Sequence, residues 1–343
     1  MPRTRRTLAT LSLILLSGTA LGMYAPTRAT PPLTWSGATP NSVMRADDDA
    51  VRLAVTAFGR SGKLRAVVTD PNRRLELPLE WAGADPFDAA YTWTPQAGTQ
   101  IRLLGGGGQL AGGLVAPSTA GVWRLHLRGN TWAQEMADLH VITRVPFSDK
   151  RGGYLNGYRI GEYATEADGR TDRYAPPAGF IEVTPDNQDL YVSEHFRLRN
   201  FLTKDQFAVW PKYLALDLRL IDKLELVIQE LNAMGVRAEH VAVMSGFRTP
   251  AYNGPGEGGR ARLSRHTYGD ASDVWVDNDR DGYIDDLNGD GRRDTDDVRV
   301  MLRAVDRVES RHPELVGGAG VYDGNGAHGP FIHIDARGYM ARW

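Results

Sequence analysis

The chain contains no cysteine, and no other single feature restricts its fold and chemistry as strongly. Disulfides, cysteine-based zinc knuckles, iron–sulfur clusters and thiol nucleophiles are excluded together. Any metal has to be held by His, Asp, Glu or backbone oxygen. The fold has to be held by its own apolar cores. The 343 residues are enough for two domains, at roughly 150 residues each. Apolar residues make up 42% and charged residues 24%, which is the balance of a globular protein rather than a disordered or repetitive one. The 40 basic and 42 acidic side chains nearly cancel. A net charge of −2 offers no general attraction for nucleic acid, and no nucleic-acid partner is expected.

The N-terminus reads as an export signal over residues 1–29. Arg3, Arg5 and Arg6 precede an apolar stretch from Leu8 to Leu21, and Thr27-Arg28-Ala29 offers a cleavage site. The apolar stretch is short for a membrane span. Retained uncleaved, it would serve as an N-terminal membrane anchor. With no second long apolar run, the remainder is expected to be soluble in the periplasm or cell envelope.

Residues 30–145 read as an all-β domain. Val51-Arg52-Leu53-Ala54-Val55 and Lys63 to Val68 alternate, and Arg74–Leu79, Gln100–Leu104 and Val122–Leu127 are further strand candidates. Asp70-Pro71-Asn72 and Gly105 to Gly108 supply turns. Strands at this spacing suggest a sandwich, immunoglobulin-like in its layout, with Trp35, Trp81, Trp93 and Trp123 as core candidates. Nothing in it selects a ligand, so a packing or spacer role is expected. Residues 146–204 are rich in Gly, Tyr and Pro without a lasting helical period, and read as an extended linker.

From residue 205 to 343 the pattern changes to α+β. Leu220, Ile221, Leu224, Val227, Ile228 and Leu231 recur at helical spacing, with Gly235 placed to end the helix. Val298, Met301, Leu302, Val305 and Val308 predict a second helix. Strands are expected over His240–Ser245, Ala271–Val276 and Phe331–Asp335. His266 falls in a loop and Asp273 on the strand that follows, with Gly269 allowing a tight turn between them. On the last strand Phe331, His333 and Asp335 share one face, because strand side chains alternate. His266, Asp273 and His333 together make a zinc set with a fourth position left for water, which zinc can ionise near neutral pH for attack on a carbonyl.

The motif Ser264-x-His266-x-x-Gly269-x-Ala271-x-Asp273, with Ser245-Gly246-Phe247-Arg248 before it and His333-x-Asp335 after it, resembles the zinc D-Ala-D-Ala carboxypeptidase and murein endopeptidase family, whose fold is shared with hedgehog signalling domains. The resemblance covers about residues 205–343. It implies that His266, Asp273 and His333 bind zinc and that Arg248 grips a substrate carboxylate or polarises a carbonyl. Several members carry a catalytic carboxylate three or six residues before the third ligand, where this chain has Pro330 and Ala327. It is instead similar to the subgroup ending in His-x-Asp, which leaves Asp335 as the general base or as a partner of the ligand, and His328 as the other candidate. The implied activity is zinc-dependent hydrolysis of peptidoglycan stem peptides or crosslinks, by a D,D- or L,D-carboxypeptidase or endopeptidase. The alternative is a non-catalytic zinc-containing module that binds cell wall or protein.

An acidic insert over residues 277–297 follows the motif. Asp277, Asp279, Asp281 and Asp285 with Gly282, and then Asp286, Asn288, Asp290 and Asp294 with Gly291, place oxygens at positions 1, 3, 5 and 9 and glycine at position 6 of two overlapping calcium loops. Position 12 is Asn288 in the first loop and Asp297, at the start of the predicted helix, in the second. Calcium is therefore the second expected cofactor, since so many close carboxylates repel without a cation.

Overall fold

The structure, a computed structural model, describes residues 50–343 except 55–58, 83, 97–98, 100–105 and 255–259. The expected export signal, Trp35 and the strand expected over Gln100–Leu104 lie outside the described residues. The described part is mixed α+β, with several sheets and few helices. No helix in it is long and apolar enough to cross a membrane.

The first region is strands alone apart from short 3-10 turns. One sheet takes the order Ala66–Thr69, His140–Thr143, Gly121–Arg128, Ala90–Pro95, Gly107–Gln109, with Ala133–Glu135 attached to Gly121–Arg128. Its first pair is parallel and the others antiparallel. Two small antiparallel pairs join it, Val51–Leu53 with Leu79–Trp81 and Arg74–Leu75 with Leu114–Val115. Gly121–Arg128 is long and central, so Val122, Trp123, Leu125 and Leu127 are all buried. Trp93 and Trp123 fill this core, and each indole N–H has an acceptor, Val115 O at 2.8 Å and Thr143 Oγ1 at 2.9 Å. Trp81 stays half-buried at the edge, packed against Trp132.

Residues 146–204 hold no α-helix, yet they are more than a spacer. Leu155, Tyr158, Ile160, Tyr163, Phe180, Val192, Phe196 and Phe201 are buried in the same core as the two long helices. Gly179–Val183 pairs on one side with Val145–Pro146 and on the other with Lys212–Leu214. Tyr154–Leu155 and Tyr158–Arg159 form a hairpin whose turn, Asn156-Gly157, has φ of 46° and 85°. Both values are positive, as a type I′ turn demands.

Helix α1, Leu218–Ala233, starts at Asp217, whose carboxylate accepts the Arg219 N–H at 2.9 Å. It buries the predicted apolar stripe and ends before Gly235, at φ 82°. Pro250–Asn253 is a single turn, α2. Helix α3, Thr295–Arg311, packs against α1. A five-stranded sheet runs in the order Val241–Ser245, Ala271–Val276, Phe331–Asp335, Gly318–Tyr322, Ala341–Arg342, antiparallel except for the last pair. Val274, Val276, Ile332 and Ile334 alternate onto the apolar face, in one core with both helices. That alternation turns Asp273 and His333 to the opposite face.

Candidate metal centre

Four strands bring the site together by register. Ser245 lies opposite Asp273, Asp273 opposite His333, and His333 opposite Gly320. His266 arrives from a 3-10 turn, Arg265–Tyr268, that ends at Gly269 in the left-handed region, φ 76°. A Cβ on Gly269 would stand 2.3 Å from Ala215 O, so the turn needs glycine for space as well as for conformation. Gly246 is likewise pressed on Phe201, with a built Cβ 2.6 Å from its Cα.

His266 Nε2, Asp273 Oδ1 and His333 Nδ1 form a triangle with sides of 3.2, 3.2 and 3.0 Å. Tetrahedral zinc with ligand bonds of about 2.0–2.1 Å separates its ligands by about 3.3 Å. All three residues are buried. The second nitrogen of each imidazole fixes its tautomer. His266 Nδ1 is 2.6 Å from Gly246 O, which can only accept, so Nδ1 carries the proton. His333 Nε2 is 3.0 Å from Asp335 Oδ2 and donates to it. The lone pairs of His266 Nε2 and His333 Nδ1 therefore converge with a carboxylate oxygen on one point. Three such atoms could hold a cation between them, and two imidazoles with one carboxylate suit zinc.

The protonation behaviour has the same cause. Burial pushes the His266 ring down. Burial also opposes charge on His333, but the hydrogen bonds its ring donates to Asp273 and Asp335 outweigh it and move that ring up. Asp273 stays well below the usual carboxylate range despite its burial, because the two histidines face it. The pocket favours positive charge at its centre.

Asp335 stands behind His333. It is fully buried, and both oxygens are taken: Oδ2 by His333 and Arg337, Oδ1 by the Gly318 and Arg337 N–H groups and Arg337 Nε. Of the two roles expected for it, orienting His333 fits this position, and a general base does not. His328 is also misplaced for a base. It sits in the loop before the last site strand, with Nε2 2.8 Å from Asn325 Nδ2, Nδ1 2.9 Å from Gly329 O, and its ring edge-on to Phe331.

Arg248 adjoins the group through Asp273. Its Nε donates to Ser245 Oγ at 2.8 Å and its Nη2 to Asp273 Oδ2 at 2.5 Å. Nη1 has no partner among the described residues. Two features carry no sequence motif. Trp343 lies 5.3 Å from the His333 ring, seated over Gly320 where a Cβ would meet it at 2.3 Å, and its Nε1 donates to Tyr322 Oη at 2.7 Å. A cavity of about 540 Å³ lies against the His266 turn, lined by the Tyr154–Arg159 hairpin, Glu162, Pro250, Arg262, Thr267 and Tyr268. Its one legible signal is Asn156-Gly157, which marks the hairpin.

In the acidic insert, Asp277, Asp279 and Asp285 bring carboxylate oxygens within 4.8 Å of one another, the other such group of acidic or histidine side chains among the described residues. Asp281 is drawn to Arg293 at 2.5 Å. The second loop is used differently from the expectation. Asp286 accepts the N–H groups of Gly289, Asp290 and Gly291. Asn288 and Asp290 accept the Asp290 and Arg292 N–H groups. Asp294 and Asp297 form the reciprocal capping box of α3. These oxygens satisfy backbone donors and do not gather into a second cluster.

Compared with known proteins, the chain matches no family model, no curated protein and no solved structure.

Proposed function

We propose that this chain is an exported, zinc-dependent peptidase that hydrolyses peptidoglycan stem peptides or crosslinks in the periplasm or cell envelope. In this reading residues 205–343 have the fold of the D-Ala-D-Ala carboxypeptidases and hedgehog domains, preceded by an immunoglobulin-like sandwich. The carrying observation is the triangle of His266 Nε2, Asp273 Oδ1 and His333 Nδ1, with each imidazole locked in its ligand tautomer. Zinc held there would supply an ionised water and a Lewis acid for the amide carbonyl.

The chain's own residues do the rest. Gly246 O and Asp335 hold the two rings in register. Arg248 steadies Asp273 through Nη2 and offers Nη1 to a substrate oxygen, a carboxylate or a developing oxyanion. Arg159, Arg262 and Glu162 in the neighbouring cavity suit a peptide that carries both carboxylates and amines. Trp343 lies beside the His333 ring.

A second reading is a binding module that keeps the metal without turnover. The engaged oxygens of Asp335 and the engaged ring of His328 favour it, because neither is free to move a proton. Incubating zinc-loaded protein with purified muropeptides and identifying products by mass spectrometry separates the two. A peptidase releases shortened or uncrosslinked peptides, and a binding module leaves them intact.

A further inference from the structure

We propose that Asp277, Asp279 and Asp285 bind one calcium ion, and that the second half of the acidic insert binds none. The proposal does not rest on the peptidase reading. A cluster of carboxylates alone would not carry it, but Asp277 differs from a surface acid. It is 4% exposed, and among the described residues its buried Oδ1 has no hydrogen-bond partner. Its Oδ2 has a long contact to the Gly282 N–H, 3.3 Å. A buried, unpartnered carboxylate oxygen is costly, and burial raises the Asp277 pKa accordingly. A cation shared with Asp279 and Asp285 removes that cost.

The surrounding loop is built to hold these oxygens. Arg280 and Gly282 take left-handed conformations, φ 61° and 88°, which curl the chain around the cluster. Ile284 is fully buried and pins the loop to the core. The Asp285 N–H returns to Val276 O at 3.0 Å. Asp285 Oδ2 is fixed by the Asn278 N–H and side-chain amide at 3.0 and 2.8 Å, and Oδ1 remains for a ligand. Arg293 reaches the outer oxygens of Asp279 and Asp281 but not Asp277 Oδ1. An all-oxygen, multi-carboxylate set in a 12-residue loop with glycine at position 6 selects calcium over softer metals. Both halves accept backbone N–H groups, but among the described residues the second half has no buried oxygen without a partner and no comparable cluster of carboxylates.

The test uses the full chain, stripped of divalent ions and reloaded with one equivalent of zinc. Calcium binding is followed by calorimetry, and terbium is used as a luminescent substitute excited through Tyr283 in the loop. The expected result is uptake of a single calcium, with displacement of terbium luminescence by calcium. Asp277→Asn and the exposed Asp279→Ala should each weaken binding by about tenfold or more. Asp290→Ala should bind as the parent does. The proposal is overturned by no uptake at millimolar calcium, by two ions bound, by unchanged binding in Asp279→Ala with a native circular dichroism spectrum, or by loss of binding in Asp290→Ala.

Discussion

Asp273 and His333 stand directly opposite each other on neighbouring antiparallel strands, with Oδ1 and Nδ1 3.0 Å apart. Sheet register thus sets two of the three candidate metal ligands, and the Gly269 turn delivers the third. Because Asp335 fixes the His333 tautomer from behind, Asp335→Asn should lower zinc affinity by roughly 10- to 100-fold. Chelator competition measures it. Undiminished affinity would mean that Asp335 does not orient the ligand.

Arg248 donates to Ser245 through Nε and to Asp273 through Nη2, and its Nη1 has no partner among the described residues. Arg248→Ala should keep most of the zinc yet lower kcat/KM by roughly 100-fold or more, the scale of a lost oxyanion donor. Arg248→Lys should restore little, because a point charge replaces a planar fork. Steady-state kinetics on muropeptides beside metal analysis provide the check. Parent-like turnover in Arg248→Ala would remove Arg248 from the substrate site.

The grouping of His266, Asp273 and His333 was legible because its spacing and its strand alternation are local. His266 and Asp273 flank one turn, and His333 and Asp335 share one strand face. The two long helices were legible from their apolar stripes. What could not be read depends on contacts distant in sequence. Trp343 reaches His333 only through the last strand pairing, and Tyr158 and Phe180 join a core whose other half lies beyond residue 210. At Asp294 and Asp297 the carboxylate spacing read as a calcium loop also builds the cap of α3, and spacing alone does not tell the two uses apart. In the hairpin the Asn156-Gly157 signal was present, but the glycine-rich surroundings read as linker.

No periodic pattern announces the buried pair of Lys223 and Glu309. Lys223 Nζ donates to Glu309 Oε1 and to Asp335 O, each at 2.6 Å, with both side chains almost fully buried beneath the site. Glu309→Ala leaves a buried ammonium without its carboxylate and should cost ~3–5 kcal/mol in denaturant unfolding. Pairing Lys223→Met with Glu309→Leu should recover much of that loss. Equal instability in the double variant would point to packing rather than charge.

His140 gives the first region a pH response. Burial, then the nearby Arg124 and Arg65 guanidinium groups, lower its pKa from 6.5 to about 4. Below pH 6.5 the unfolded chain takes up a proton that the folded one refuses, so stability from this group falls as pH drops from 6.5 to about 4 and is constant below. The slope is at most ~1.4 kcal/mol per pH unit. Comparing unfolding midpoints of the parent and His140→Gln across that window checks it, and the variant should respond less steeply to acid. Identical pH profiles would contradict a depressed His140.

The most direct test of the central claim is to incubate zinc-loaded protein and its His266→Ala variant with purified peptidoglycan, and to read zinc content and released peptides from the same samples. Stoichiometric zinc with peptide release is expected of the parent, and neither of the variant. Full zinc retention and undiminished cleavage by His266→Ala would contradict it.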